Sequence, residues 1–474
     1  MTIEINLRVQ YLTEVLPEIP TNTILYKKLT GLGATYGEIT AKRNSIIIEP
    51  NVPVIIGKCN DPKHKDDNLF GVYEGVYTDD IIKYLEKSKN KYYKILTTPE
   101  SFQKVKDAFE ELEMSAHCSC FLLFDECHKL VKDADYRNNI TLPIDDFFKF
   151  DQKALVSATP IELNDPRCKE QKFKMIEIQP TFDYKKELWL HHTNNTLQAL
   201  KTVLSKLDNE ETAPLPICVF INSTDIIYSL MKQLDLLEDS AVFCAPKSVD
   251  KLKKNRFCNV YEEWNKDKMK RYNFFTSRFF NAVDMELEEQ PHVIMLTDVY
   301  FAEHTMIDPY TDAIQIVGRF RNGVSSIIYI SNTKKGLPQR SKEEIKGYLI
   351  CSKEIYRTMK NFYDCATDRA SRDAYRVALE SLPFNRMLDR NGRENWFAID
   401  NYMDEELMKN YFHDENSLYK AYDNCDSFIV YHAGYYCPLG DSERLKRENK
   451  SQSIKDKRKE IVRQLEMLGD CVTE

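Results

Sequence analysis

The chain has 474 residues and a mass of 55.6 kDa, with 42% hydrophobic residues, 30% charged residues and a formal net charge of −8. This length exceeds what one hydrophobic core supports, so two domains and an extension are expected from an otherwise ordinary globular composition. No apolar run approaches the roughly 20 residues of a membrane span, and the acidic balance argues against a protein that passively coats nucleic acid.

The cysteines and the N-terminal segment bear on the cellular compartment. The 13 cysteines are scattered and form no CxxC pair. A cluster at His117, Cys118 and Cys120, with Cys127 and His128 nearby, adjoins the apolar run FLLF, where we expect buried reduced thiols and not zinc. The start MTIEINLRVQ lacks the basic and apolar regions of a signal peptide, so a cytoplasmic protein with no membrane partner is expected.

Short apolar runs alternate with helical stretches as far as residue 335, which is typical of parallel α/β sheets. In the first part, strands are predicted near residues 23–26, 45–49, 92–97, 120–124 and 154–157. In the second part, strands are predicted near residues 187–191, 217–221, 273–276, 292–296 and 326–331, with helices over 196–207 and 225–237. The boundary between the two sheets is expected close to Pro180, which gives domains of residues 1–182 and 183–335.

From residue 336 the alternation of strands and helices stops. Helices are predicted over residues 341–381, 394–412 and 449–468, with a short mixed segment over 427–437. Residues 336–474 are therefore expected to form a mostly helical accessory region. Its basic stretch at 444–463, like those at 247–256 and 266–271, is of a kind most often found on a solvated helix face, and it could also lie on nucleic acid or on another protein.

Seven short sequence strings occur in order along the chain, among the predicted strands and helices. They are TGLGAT (30–35), TTPESF (97–102), DECH (125–128), SAT (157–159), VFINS (219–223), TSRFFNAVD (276–284) and QIVGRFR (315–321). In open α/β sheets the loops after the strands gather at one edge, where ligands bind. The strings therefore predict ligand sites at the carboxyl edges of both sheets.

By the order and spacing of these strings, the chain resembles the DEAD/DEAH-type helicases of superfamily 2 across roughly residues 20–335. DECH with QxxGRxR looks closer to the DEAH-like and DNA-repair branches, and TGLGAT and GRFRNG look like the variants of phage and mobile-element helicases, which would place the chain in a host cytoplasm. The resemblance implies an α/β fold of two tandem RecA-like parallel-sheet domains plus a mainly helical C-terminal extension. It also implies that ATP and Mg²⁺ bind between the lobes and that a nucleic-acid strand lies across both.

The string TGLGAT resembles the phosphate loop of these enzymes, which implies nucleotide contacts from Thr30, Gly31, Leu32, Gly33, Ala34 and Thr35. Glycines let backbone N–H groups face phosphates, and a threonine hydroxyl suits Mg²⁺. The family carries lysine where this chain has Ala34, and that lysine holds positive charge against the β- and γ-phosphates. Either another cation replaces it, or the site hydrolyses little. The candidate cations are Lys27 and Lys28 upstream and Lys42 and Arg43 downstream, and Lys28 is assigned to the nucleotide site.

The strings DECH and SAT imply the hydrolytic residues of the first lobe. Asp125 would hold Mg²⁺ together with Thr35, and Glu126 would orient and deprotonate the attacking water. Small hydroxyl groups and an imidazole would relay the nucleotide state to the strand-binding surface. The residues assigned to this coupling are His128, Ser157 and Thr159.

The second lobe is expected to close the site with Asp284, Gln315 and two arginines. An arginine of QIVGRFR would stabilise the charge that develops on the γ-phosphate, which is the arginine-finger role. Family members usually place the second arginine three residues after the first, whereas here the spacing is two. Which of Arg319 and Arg321 is the finger therefore stays open.

Several loops are expected to touch the phosphates of a nucleic-acid strand, contacts that position the strand and do not specify its sequence. The residues assigned to this role are Asn51, Thr98, Ser101, Asn222 and Thr276. Ordinary turn chemistry explains the loops of Asn51, Thr98 and Ser101 nearly as well.

The sequence thus predicts an ATP-dependent nucleic-acid helicase or translocase that acts on single-stranded or duplex nucleic acid, with DNA favoured over RNA. The alternative is a helicase-like nucleic-acid-binding scaffold of a replication or repair complex, in which Ala34 marks lost turnover. A nuclease-coupled subunit is less well supported, because residues 336–474 show no convincing metal–nuclease constellation. That region is a possible site for a replication or repair partner.

Overall fold

A computed structural model describes residues 1–9, 11–134, 137–159, 162–209, 215–280 and 284–448. Two parallel sheets of eight strands each follow one another along this part of the chain, and a mainly helical region comes after them. The predicted fold class, two tandem RecA-like parallel-sheet domains with a mainly helical C-terminal extension, is confirmed. The domain limits at 182 and 335 stay a prediction.

The first sheet places the strands that carry the predicted loops side by side. Its strand order is β1-β8-β2-β7-β6-β3-β5-β4, all paired in parallel. The strands are β1 Thr2–Ile5, β2 Thr23–Tyr26, β3 Ser45–Ile48, β4 Leu69–Val72, β5 Lys94–Thr97, β6 Phe121–Phe124, β7 Gln152–Ser157 and β8 Lys174–Pro180. Because β2, β7, β6 and β3 are neighbours, the loops that follow them meet at one edge.

The second sheet has the strand order β12-β11-β13-β10-β14-β15-β9-β16, again paired in parallel. Its strands are β9 Lys186–Thr193, β10 Ile217–Phe220, β11 Ser240–Phe243, β12 Val260–Tyr261, β13 Tyr272–Phe275, β14 His292–Thr297, β15 Ser326–Ser331 and β16 Phe428–Tyr435. Central strands such as β6 (FLLF) and β10 (ICVF) are buried throughout. Continuous apolar runs form these strands because both faces of a parallel sheet are covered.

Helices cover the two sheets and build the C-terminal region. In the first domain they are α1 Ala34–Thr40, α2 Val52–Asn60, α3 Thr78–Lys87, α4 Phe102–Glu111, α5 Ala116–Ser119, α6 Lys129–Lys132, α7 Ile144–Phe147 and α8 Pro166–Glu170. In the second domain they are α9 Thr196–Asp208, α10 Thr224–Gln233, α11 Pro246–Lys254 and α12 Asp312–Gly318. In the C-terminal region they are α13 Lys342–Cys365, α14 Arg369–Ser381, α15 Trp396–Tyr411, α16 Glu415–Asp423 and α17 Asp441–Glu448.

The structure adds strands that the sequence analysis did not predict, namely β1, β4, β8, β11 and β12. Strand β4 (LFGV) contains glycine and is only half-buried over most of its length, and β12 has two residues, so neither gives a clear apolar run. The mixed segment over 427–437 contains β16, which pairs with β9 along its whole length. The helix predicted over 449–468 lies outside the described residues.

Among the described residues, no helix combines the length and the apolar composition that crossing a bilayer requires. Of the candidate zinc cluster, Cys120 and Cys127 are buried thiols, whereas Cys118 is exposed. Burial raises the pKa of the Cys120 thiol to about 11, so it stays protonated.

The C-terminal region is attached to both domains. Phe397 of α15 packs into the core of the first domain, and Asp400 accepts hydrogen bonds from the backbone and side chain of Asn164 there. Tyr422 of α16 donates its hydroxyl to the Ile307 carbonyl of the second domain at 2.9 Å. Strand β16 adds an eighth strand to the second sheet. This region therefore bridges the two domains.

We expect Phe428→Ala to lower the free energy of unfolding of the second domain by about 3–5 kcal/mol, because it empties a buried aromatic site in β16. Phe428 is 3% exposed and Ile429 is 41% exposed. The matched change Ile429→Ala should therefore cost no more than about 0.5 kcal/mol. Urea unfolding measures both, and equal effects would mean that this strand is not part of the core.

Candidate active site

The loop TGLGAT connects β2 to α1 at the carboxyl edge of the first sheet. Gly31 and Gly33 have φ values of +82° and +77°, a region that favours glycine, and Gly33 caps the start of α1. Ala34 is 1% exposed and packs in an apolar cluster under the loop. The position of the family's lysine is therefore part of the hydrophobic core, and it presents no charge to the loop.

Lys27 supplies a cation beside the loop instead. Its Nζ lies 3.6 Å from Asp125 Oδ1, and both side chains are buried. Burial opposes the charged form of Lys27, but Asp125 and Glu126 outweigh it, so the pKa of the lysine is raised above its usual value. Lys27 is thus a fixed positive charge at the carboxyl edge of the sheet.

The other candidate cations are engaged elsewhere. Lys28, assigned to the nucleotide from the sequence, contacts Glu177 at 2.8 Å and Gln179 at 2.5 Å on β8. Arg43 pairs with Glu38 through two nitrogens and lies 3.5 Å from the centre of the Phe121 ring. Lys42 is exposed to solvent. Of the four candidates, Lys27 is the one that the fold brings to the acidic residues of the site.

The predicted Mg²⁺ ligands are in contact with each other. The Thr35 hydroxyl donates to Asp125 Oδ2, and both residues are buried. Asp125 Oδ1 in turn accepts the backbone N–H of Glu126 at 2.8 Å. A hydroxyl and a carboxylate from two neighbouring loops therefore converge on one point beside Lys27.

The carboxylate of Glu126 is fixed by neighbouring groups and is ionised. Glu126 has a φ of +48°, which is unusual for a residue other than glycine and stores backbone strain of about 1–3 kcal/mol. Its Oε2 lies 3.3 Å from His128 Nδ1. Burial would raise the pKa of Glu126, but Lys27, His128 and Arg319 lower it well below the usual range. The side chain therefore stays ionised.

The residues assigned to coupling form a hydrogen-bonded chain. His128 Nδ1 lies 3.1 Å from Ser157 Oγ, and Ser157 Oγ lies 3.2 Å from Thr159 Oγ1. Since His128 also contacts Glu126, the chain runs from the acidic site to the loop after β7. The structure thus brings all three coupling residues together, and their role stays a prediction.

The second domain faces this site through α12 and the residues after it. Gln315 Nε2 donates to Glu126 Oε2 at 3.4 Å across the cleft. Arg319 is buried and donates to Gln315 Oε1 at 3.0 Å and to Asp284 Oδ1 at 3.3 Å. Arg321 donates to Asp284 Oδ2 at 2.7 Å. One carboxylate therefore aligns both arginines.

The two-residue spacing of the arginines follows from the end of the helix. Helix α12 ends at Gly318, and Phe320 then forms a β-bridge with Met285 while its ring enters the core. Arg319 keeps helical backbone angles at the C-cap, and the chain then leaves the helix. In a continuing helix, residues two apart lie on different faces, whereas here Arg319 and Arg321 both donate to Asp284 in the cleft.

The two domains touch at the phosphate loop. Thr30 Oγ1 donates to the Gly318 carbonyl at 3.4 Å. A Cβ atom added to Gly31 would lie 2.7 Å from Arg321 Nη1. Arg321 therefore lies against the loop, whereas Arg319 lies close enough to Glu126 to lower its pKa.

The residues assigned to nucleic-acid binding lie at the same sheet edges, but some of them already make contacts within the protein. Asn51 Oδ1 accepts from Lys129 Nζ at 3.2 Å, and Asn222 donates to the His304 carbonyl at 3.0 Å. Thr98 and Ser101, which follow β5, are both 4% exposed, and Thr276 after β13 is 8% exposed. Their contact with a strand stays a prediction, and in this arrangement the three hydroxyl residues present little surface.

Glu49 is a member of the site that was not among the residues predicted from the sequence. It follows β3, whose last residue Ile48 is opposite Phe124, so Glu49 lies beside Asp125. Its carboxylate is buried and pairs with Lys58 at 2.5 Å. Burial raises the pKa of Glu49 to about 7. The available signal was a charged residue directly after the continuous apolar run SIII.

No protein-family model matches the chain, and no curated protein matches it. The chain is similar to solved structures that include S. cerevisiae Dbp5 bound to RNA and ADP BeF3, at 12% identity and a TM-score of 0.41, over 82% of this chain and 90% of that chain. Another is Mycobacterium smegmatis helicase Lhr bound to ssDNA and AMP-PNP, at 12% identity and a TM-score of 0.40, over 77% and 52% of the two chains. A third is RecG bound to a three-way DNA junction, at 12% identity and a TM-score of 0.39, over 82% and 48%. At these identities and scores the likeness transfers no activity to this chain.

The Thr30–Gly318 contact predicts a substitution that separates the domains. A Cβ at Gly318 would lie 2.5 Å from Thr30 Oγ1 and 3.0 Å from Thr30 Cβ. We expect Gly318→Ala to push α12 off the phosphate loop and to raise the radius of gyration measured by small-angle X-ray scattering. Adding Thr30→Gly should restore the wild-type value, because it removes the colliding atoms.

Gly347→Ala is the matched control, since a Cβ at Gly347 in α13 meets nothing within 4 Å. Alanine favours a helix over glycine by up to about 1 kcal/mol, so this control should fold at least as well as the wild type. Identical scattering from the wild type and Gly318→Ala would show that the two domains do not rest on this contact.

Proposed function

We propose that the chain is an ATP-dependent nucleic-acid helicase or translocase, with DNA as the favoured track. One observation carries the proposal: acidic and cationic groups of the first domain meet the arginines of the second across a single cleft. The groups are Lys27, Thr35, Asp125 and Glu126 on one side and Gln315, Arg319 and Arg321 on the other. Such an arrangement suits phosphoryl transfer, which depends on positioning and on stabilising negative charge.

The residues of the cleft fit Mg²⁺ and a nucleoside triphosphate. Thr35 and Asp125 bring hard oxygen donors into contact, and Mg²⁺ prefers such ligands. The left-handed backbone at Gly31 and Gly33 suits a loop that turns its N–H groups toward phosphates, and Lys27 adds a charge that can balance them. When bound, Mg²⁺ neutralises charge on the β- and γ-phosphate oxygens.

Glu126 is the residue that best fits the orientation of an attacking water. His128 of the first domain and Gln315 of the second domain both contact its carboxylate. Lys27 and Arg319 keep it ionised, so it can accept a proton. Negative charge added to the cleft raises the pKa of this carboxyl group and makes it a stronger base.

Arg319 and Arg321 have different roles in this proposal. Arg319 is buried next to Glu126, where the transferred phosphoryl group would lie, and we assign it the finger role. Arg321 lies against Gly31 and adds a second charge to the loop that lacks lysine. Domain closure would then complete the site, because both arginines come from the second domain.

A scaffold with little turnover is the second candidate, and it is favoured by the burial of Ala34 in the apolar core. Against it stand the strained backbone of Glu126 and the buried charge of Lys27, since both cost stability that a scaffold has no use for. These costs favour an active enzyme.

Lys27→Met should lower the turnover number for ATP by about 10²-fold or more, because it removes a fixed charge from the site. Lys28→Met is the matched control, since the neighbouring lysine pairs with Glu177 on β8. It should leave turnover within about twofold, because the Lys28 ammonium group contacts Glu177 and Gln179 on β8. Equal losses in the two variants, measured by steady-state phosphate release, would remove Lys27 from this role.

Steady-state ATP hydrolysis with single-stranded DNA, with RNA and with neither tests the function itself. We expect DNA to raise turnover most, and we expect Glu126→Gln to abolish turnover while nucleotide binding remains. Arg319→Ala should cost about 10³-fold or more if it is the finger, and Arg321→Ala should cost less. Wild-type turnover equal to that of Glu126→Gln, with strand binding retained, would establish the scaffold instead.

A further inference from the structure

One ammonium group joins all three parts of the protein. Lys132 Nζ lies 2.6 Å from Asp308 Oδ2 and 2.6 Å from Asp404 Oδ2. Lys132 ends α6 in the first domain, Asp308 precedes α12 in the second domain, and Asp404 belongs to α15 of the C-terminal region. The cation therefore lies where these parts converge.

The positive charge of Lys132 balances the negative charges of the carboxylates at this junction. Asp308 is buried, its backbone N–H donates to Asp312 Oδ2 at 3.2 Å, and Asp404 is partly buried. Two carboxylates thus pair with the cation, and a third, Asp312, lies nearby. Burial opposes charge on Lys132, but Asp308 and Asp404 outweigh it and raise its pKa well above the usual value. Without Lys132, buried negative charges would repel one another across the junction.

The position of the contact links it to both halves of the active site. Helix α6 starts at Lys129, directly after His128, so Lys132 is one turn from the DECH string. On the other side, the Asp308 carbonyl accepts the Ala313 N–H at 3.0 Å and fixes the first turn of α12. That helix carries Gln315 and leads to Arg319. A shift of Asp308 would therefore move the arginine relative to Glu126.

Helix α15 brings the second carboxylate to the junction from an anchored position. Phe397 holds its first turn in the core of the first domain, and Asp400 binds Asn164 at 2.6 Å and 3.0 Å. Asp404 follows one turn later on the same helix. The C-terminal region thus presents Asp404 to Lys132 from a fixed support.

We infer that Lys132 is a positioning residue: its contacts with Asp308 and Asp404 set α12 and its arginine against Glu126 and make the C-terminal region part of the catalytic arrangement. This inference rests on the proposed function. It assigns no chemical step to Lys132, which acts through the placement of Gln315 and Arg319.

The first test compares the kinetics of Lys132→Met, Lys132→Arg and Asp404→Asn. Lys132→Met should lower kcat for ATP by about 10²-fold, because misplacing a catalytic group by about 1 Å has a cost of that size. KM for ATP should stay close to the wild-type value, since the phosphate loop is untouched. Lys132→Arg keeps the charge and should recover part of kcat, and Asp404→Asn should lower kcat in the same direction.

Asp364→Asn is the matched control for Asp404→Asn. Asp364 lies in the same region, is exposed to solvent and pairs with Lys360 at 2.6 Å within α13. It should leave kcat unchanged. Equal kcat values for Asp404→Asn and Asp364→Asn would overturn the role of the C-terminal region.

Hydrogen exchange of the full chain without nucleotide separates this inference from the proposed function. Amides of α12 should exchange faster in Lys132→Met and Asp404→Asn than in the wild type and in Asp364→Asn, because α12 has lost its support. Unchanged exchange in α12 would overturn the inference even if kcat falls. Absent turnover in the wild type would refute the proposed function, while the exchange data would still decide whether the contact holds α12. If Lys132→Met fails to fold, Asp404→Asn gives the decision.

Discussion

The arrangement of the first domain depends on a buried cation among carboxylates. Glu49, Asp125 and Glu126 follow the neighbouring strands β3 and β6, and their negative charges would repel one another at the carboxyl edge of the sheet. Lys27 lies against Asp125 and offsets this repulsion, while Lys58 pairs with Glu49. Since Ala34 belongs to the apolar core, Lys27 is the first domain's source of positive charge beside the phosphate loop.

The cleft extends this balance of charge to the second domain. Asp284 orients Arg319 and Arg321, and these arginines meet the acidic residues and the loop of the first domain. The domains come close because glycine at 318 leaves room for Thr30. Because Lys27, Asp125 and Arg319 are buried, their charges act more strongly than they would at the surface. The site therefore exists only when both domains are in place.

The C-terminal region is built into this arrangement. It contributes β16 to the second sheet and packs α15 against the first domain. Opening of the cleft must either carry this region along or break its contacts with one domain. A bridge of this kind limits the relative motion of the two domains.

The sequence was sufficient for the parts of the fold that depend on local pattern. Continuous apolar runs predicted β2, β3, β5, β6, β7 and most central strands of the second sheet, and the loops after them did meet. Pattern could not reveal β16, because its partner β9 lies more than 200 residues away and the edge position leaves half of its residues polar or exposed.

The same limit applied to the choice among charged residues. Lys27 and Lys28 are adjacent residues that follow β2, and local pattern does not tell which of them reaches the acidic site. Which one it is depends on the fold around them, and β8 holds Lys28. Likewise, the spacing of Arg319 and Arg321 made sense only when α12 was seen to end at Gly318. Glu49 stood outside every familiar string, and its role follows from the pairing of β3 with β6.

A structure of the chain with Mg²⁺ and a non-hydrolysable ATP analogue would show whether Lys27 serves the nucleotide. We expect Lys27 Nζ to lie within hydrogen-bond distance, about 2.7–3.2 Å, of a β- or γ-phosphate oxygen, with Thr35 and Asp125 at the metal. Phosphates bound away from Lys27, or a cleft that binds no nucleotide at saturating concentration, would contradict this expectation.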